Sequence, residues 1–243
     1  MSRRAGVVRA AIVVGLVFVV SGCGHDSRAA KPSAGATGTA AAAKVGVSAG
    51  KAALTRTQLE SAAIEKDDVP GWEVTVPKSA AGPVGGARTV ADKAVCQPVA
   101  DALSQSGAVK AVAAVERSAV AEDRSGVMVR VRLASYADGD ADKVMARLAD
   151  AALQCKGFNG SGGGGEQRVG VAQYNGYLRA DNTITLRLTM EIGNHTLPVY
   201  LDVGSVGSTV EYFATFNVTG DDPGTGSTTA ERMQHVKVGA ATP

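Results

Sequence analysis

The chain lacks the clustered residues on which most catalytic and nucleic-acid sites depend. Its three histidines, His25, His195 and His235, are scattered. No H-E-x-x-H motif, Cys/His group or pair of catalytic carboxylates accompanies them, so neither a metal centre nor an acid–base pair is legible. His195 follows Gly193-Asn194, a turn where a solvated ring is expected. No C-x-x-C spacing marks a reactive thiol. No basic block points to nucleic acid. The apolar run Ala10 to Val20 has eleven residues, too short for the roughly 20 that span a bilayer as a helix.

Three apparent motifs fail on context. Gly46-Val47-Ser48-Ala49-Gly50 spells G-x-S-x-G, but a nucleophile elbow needs a strand before it and a helix after it. Gly50-Lys51 is followed by Ala52 rather than Ser or Thr, so it is no phosphate loop. Asp138, Asp140 and Asp142 have the spacing of a calcium loop, yet Lys143 and Ala149 stand where Gly and Glu are required. Acids at a helix N-terminus account for them.

What is present begins with an export leader. Arg3, Arg4 and Arg9 precede the apolar run, and Val20-Ser21-Gly22-Cys23 follows it. That stretch resembles the lipobox of bacterial lipoproteins. The resemblance implies removal of residues 1–22, diacylation of Cys23 and anchoring at the outer face of the cell membrane, two acyl chains holding firmly where one is marginal. Without the leader the charge balance is 22 basic to 23 acidic side chains. Residues 23–53, dominated by Ala, Gly, Ser, Thr, Lys and Pro, cannot bury enough apolar surface to offset their ordering entropy and read as a flexible linker.

One domain is expected over residues 54–240. A capping box at Thr57–Glu60 opens a short helix to about Lys66, and Trp72 to Val76 alternates as a strand. A helix over Asp92 to Leu103, broken near Pro98, comes next. Strands over 111–121 and 127–136 flank a turn, and a helix over 138–154 ends near Gly157. Asn159 to Gly165, rich in glycine, reads as a loop. Strands over 168–179, 183–192, 196–203 and 208–218 form a meander, closed by a helix over 229–238. This order predicts an α+β fold, a mostly antiparallel sheet with helices packed on one face.

Cys96 and Cys155 are the cysteines left in the expected mature domain. In an exported protein an even pair predicts a disulfide. Arg130, Arg132 and Arg187 lie on the sides of their strands opposite the aliphatic residues. They are candidate ligands for an anion if that face is curved, since a planar guanidinium binds carboxylate or phosphate bidentately.

The capped helix before Pro70-Gly71-Trp72, the run Ala94-Val95-Cys96-Gln97-Pro98-Val99-Ala100, Ser135-Tyr136 and the helix ending at Cys155 resemble a group of actinobacterial lipoproteins. These are similar to the extracellular sensor domains of PknH-type serine/threonine kinases. Such sensor domains carry more than one disulfide, whereas this domain has cysteines for one. The resemblance implies a non-catalytic, sensor-like module at the cell surface, binding a small molecule or envelope ligand, with no cofactor. An envelope hydrolase and a chaperone-like protein partner are the alternative readings; a concave pocket would favour ligand binding and a flat apolar patch a protein partner.

Overall fold

The computed structural model describes residues 52–242 apart from 79–83, 85–86, 125, 163–164, 175–181 and 225–227. The expected leader, Cys23 and all but the last two residues of the linker lie outside the described residues. Everything described belongs to one compact unit, Gly46–Pro243. Its start is tied down by two hydrogen bonds. Ser208 Oγ donates to the Ala52 carbonyl at 3.0 Å, and the Leu54 amide donates to Ser135 Oγ at 2.7 Å.

The described residues form nine strands and four helices. The strands are β1 (Trp72–Thr75), β2 (Val90–Ala91), β3 (Ala113–Ala121), β4 (Val127–Ser135), β5 (Gly157–Ser161), β6 (Gln167–Gln173), β7 (Thr183–Ile192), β8 (His195–Val206) and β9 (Thr209–Asn217). The helices are α1 (Arg56–Ala62), α2 (Gln97–Leu103), α3 (Asp140–Gln154) and α4 (Thr228–Ala241). All strands join one sheet in the order β1-β3-β4-β9-β8-β7-β6-β5-β2. Every pairing is antiparallel, as the connections between consecutive strands predict for β3–β4 and for β5 through β9; β1–β3, β4–β9 and β2–β5 join strands distant in sequence. No described helix is long and apolar enough to cross a membrane.

The α+β expectation holds, but the helices are not on one face. Leu59 and Ala62 of α1 and Ala230 and Val238 of α4 pack on Val115, Val129, Val131 and Leu133 of β3 and β4. Leu103 of α2 and Leu148 of α3 pack on Leu186, Leu188, Val199 and Leu201 of β7 and β8, on the other side. The aliphatic face therefore changes side between the two halves of the sheet. The interior strand β9 serves both cores, which is why all nine of its residues are buried.

Local sequence explains most boundaries. The capping box of α1 starts at Thr55 rather than Thr57. The Gln58 amide donates to Thr55 Oγ1, and the Thr55 amide to Gln58 Oε1 at 2.9 Å. Glu60 is occupied instead by Arg56 at 2.9 Å. Near Pro98 the chain passes from a 3₁₀ turn, Ala94–Cys96, into α2, where proline in the first turn loses no helical bond. Asp140 and Asp142 occupy the first turn of α3, which Gly139 enters at φ +74°. The loop expected over 159–165 is corrected: residues 157–161 form β5, paired with β2 and β6. A Cβ at Gly160 would lie 2.7 Å from Thr89 Cγ2, and one at Gly162 would lie 2.6 Å from the Arg88 carbonyl oxygen. Glycine here allows close approach of two backbones.

Candidate functional site

Cys96 and Cys155 form the expected disulfide, with Cα atoms 5.1 Å apart and a sequence separation of 59. It joins the turn that enters α2 to the end of α3. Both sulfurs belong to residues fully buried under the sheet.

The three candidate arginines are not brought together. Across the sheet, Ile184, Val203, Tyr212, Arg132 and Glu116 form one lateral row. Arg187, Tyr200, Thr215, Val129 and Ala119 form another row on the opposite face. Arg130 lies in register with Ala214 and so shares the face of Arg132. Alternation within each strand is as expected. The change of aliphatic side between β4 and β7 is what separates the arginines.

Arg187 sits over the Tyr200 ring at 5.9 Å and donates to Asp222 at 2.7 Å. Tyr174 meets Tyr200 edge-on at 5.2 Å. Arg187 is thus engaged by its own neighbours. Arg130 and Arg132 instead converge on one carboxylate. Arg132 Nη1 donates to Glu116 Oε1 at 2.7 Å, and Arg130 Nη2 stands 3.8 Å from Glu116 Oε2. Two guanidinium groups facing one carboxylate leave an excess positive charge. Arg130 is buried, and its Nη2 has no hydrogen-bond acceptor among the described residues.

Arg132 and Glu116 lie in an open cleft of about 1070 Å³ between α1 and the segment 105–112. The cleft exists because β1 is short. It pairs with β3 only over Ser118 to Ala121, ending at Thr75 before Pro77. Residues 113–117 therefore pair with β4 alone among the described strands. Arg117 is held at the cleft wall by donating to the Ile64 carbonyl at 3.2 Å. The cleft is bordered by a strand edge and lined by Arg56, Lys110, Arg117 and Arg132 against Glu60, Glu65 and Glu116, a small positive excess that suits an extended anionic ligand.

Tyr136 also lines the cleft, and its hydroxyl lies 3.0 Å from that of Tyr212. Burial pushes both phenols up, Tyr212 well above the usual tyrosine range, with Arg132 opposing weakly. Both stay protonated near neutral pH. Glu116 and Tyr212 were not singled out from sequence, and Tyr136 entered only through the family resemblance, without a role in a site. Glu116 was accessible in principle, because the turn between β3 and β4 sets it opposite Arg132. The tyrosines were not, since nothing local places residue 136 beside residue 212. Among the described residues no group of three or more His, Cys, Asp or Glu is placed to hold a metal.

No family model matches the chain, and no curated protein does. An uncharacterized Mycobacterium smegmatis protein, an Rv0999 ortholog, aligns with a TM-score of 0.37 at 17% identity, covering 76% of this chain and 92% of that one. The extracellular domain of PknH from Mycobacterium tuberculosis aligns with a TM-score of 0.54 at 13% identity, covering 79% of this chain and 98% of that domain. In fold, this chain is similar to the PknH extracellular domain, as the sequence resemblance implies.

Proposed function

We propose that this chain is a lipid-anchored, extracytoplasmic, non-catalytic binding domain of sensor type, and that the cleft beside β3 is its ligand seat. The observation that carries the reading is the cleft itself, about 1070 Å³ with Arg132 and Arg130 sharing Glu116. The leader pattern ending at Cys23 and the likeness of fold to a domain named as extracellular support the location. The ligand is an anionic component of the envelope, extended enough to lie along residues 113–117. The tether and the two acyl chains would keep the domain at the membrane while the cleft samples its surroundings.

Two measurements test this. Cys23→Ser should move the protein from the membrane fraction to the soluble one; unchanged sedimentation rejects the anchor. Native mass spectrometry of the purified chain should show a retained anionic molecule that is lost in Arg132→Gln. If wild type and variant carry the same mass, or wild type carries none even with envelope extract added, the cleft is not the seat.

A further inference from the structure

A second concavity lies on the α2/α3 side of the sheet, smaller and more closed than the cleft, with a volume of about 240 Å³. Its walls are aliphatic, supplied by Pro98 and Ala102 of α2 and by Val144 and Leu148 of α3. Tyr136 and Tyr212 line it as well. Their hydroxyls carry two protons, and the single bond between them, 3.0 Å long, uses one. The other proton has no acceptor among the described residues. A buried donor without an acceptor is costly. Since both phenols are held protonated by burial, this donor persists across the neutral range.

The charges around this pocket are uneven. Arg88 is engaged by Asp101 at 2.9 Å, and Asp101 Oδ1 also accepts from Gln97 Nε2 at 2.8 Å. Arg147, exposed on α3, lines the pocket and has no ion-pair partner among the described residues. The lining thus offers aliphatic walls, one spare phenolic donor and one unpaired cation. The space equals that of about eight waters, less than a drug-sized ligand needs.

We propose that this pocket binds a small amphipathic carboxylate. Its anionic end meets Arg147, its apolar body lies between α2 and α3, and an acceptor oxygen at its far end takes the spare Tyr136–Tyr212 proton. The carboxylate belongs at Arg147 because that side chain is in water, whereas an ion beside the buried phenols would lose its solvation. Gly107, Val109 and Tyr136 border both this pocket and the arginine cleft, but Arg147 and the α2/α3 walls belong to this pocket and not to the cleft.

The pair of hydroxyls makes an unusual prediction. Tyr136→Phe or Tyr212→Phe alone leaves one hydroxyl with its proton free, so either single variant retains the donor. Only the double variant removes it, and losing both partners of the same bond is nearly neutral for folding. The probes are 4-hydroxyphenylacetate, phenylacetate without the far oxygen, and 2-phenylethanol without the charge. They are titrated by calorimetry and by ligand-observed NMR into the full chain. Wild type and both single variants should bind 4-hydroxyphenylacetate more tightly than phenylacetate by about fivefold, in line with one net hydrogen bond. The double variant should bind the two equally. Arg147→Gln should weaken both acids several-fold and leave 2-phenylethanol unchanged. Val144→Trp, which fills the space, should abolish all three while circular dichroism stays native. Failure of 4-hydroxyphenylacetate to saturate wild type at millimolar concentration overturns the proposal. So does an undiminished preference in the double variant, or binding that survives Val144→Trp.

Discussion

His235 Nδ1 lies 2.9 Å from Glu211 Oε2, tying a half-exposed ring on α4 to a carboxylate sealed within the sheet. Glu211 is 1% exposed, and its Oε1 has no hydrogen-bond partner among the described residues. Burial pushes the Glu211 carboxyl up, against the opposing bond from His235. That same bond raises His235, with burial acting the other way. Both folded-state values therefore lie above the unfolded ones.

The sign follows from linkage. Stability linked to Glu211 is fully present below its unfolded value of 4.5 and is lost as pH rises through the raised folded value. Stability linked to His235 is present below 6.5 and fades as pH climbs through its own raised value. Glu211→Gln removes the first titration and the partner that causes the second. Its melting temperature minus that of wild type should increase steadily from pH 4.5 to 8. Parallel melting profiles across that range would show that the pair is not coupled to folding.

The disulfide should contribute substantially. Closing a loop of 59 residues removes unfolded-state entropy equivalent to roughly 4 kcal/mol. At about 2–4 °C per kcal/mol for a domain of this size, Cys96→Ala/Cys155→Ala should melt roughly 8–16 °C lower. A shift under 3 °C by scanning calorimetry would mean that the bond restricts the unfolded chain far less than loop closure predicts.

Which parts of this architecture were legible follows from the range of the signals. The ends of β7 and the core face Ile184, Leu186, Leu188, Met190 were readable because strand period is local. The disulfide was readable from the cysteine count together with the export expected from the N-terminal residues. The common face proposed for Arg130, Arg132 and Arg187 was not, because it requires knowing which side of each strand faces which helices. β4 turns its valines toward α1 and α4, while β7 turns its leucines toward α2 and α3. Nothing within either strand reports that exchange. β5 was missed for a different reason: Gly160 and Gly162 have poor strand propensity and are there to let Thr89 and Arg88 approach.

That close approach is itself testable. A methyl group at Gly162 would stand 2.6 Å from the Arg88 carbonyl oxygen and 3.1 Å from Thr89 Cα, both backbone atoms that cannot rotate away. Gly162→Ala should therefore push β2 off β5 and cost about 1–3 kcal/mol. Faster hydrogen exchange should appear at Asp92, whose amide donates to the Asn159 carbonyl of β5, but not in β7 or β8. Equal protection in variant and wild type would show that the edge accommodates the methyl group.

The last prediction concerns how α4 is held, since its apolar contribution is small: Ala230 and Val238 are its residues buried in the core. A fully buried glutamine compensates. Gln234 Nε2 donates to the Ala62 carbonyl at 2.7 Å, and its Oε1 accepts the Ile64 amide at 2.9 Å. Ala62 is the last residue of α1, where carbonyls have no helical partner. One side chain from α4 thus satisfies two orphaned backbone groups 170 and 172 residues away in sequence. Gln234→Ala would leave both buried and unpaired, at about 1–3 kcal/mol each. Gln234→Leu preserves most of the volume but neither bond, so it separates packing from hydrogen bonding. Both variants should lose about 2–5 kcal/mol in urea unfolding, the alanine slightly more because it also leaves a void. The amides of α1 and α4 should lose hydrogen-exchange protection together, ahead of β8. If the leucine variant is as stable as wild type, the glutamine acts through shape alone, and α4 does not depend on these two bonds.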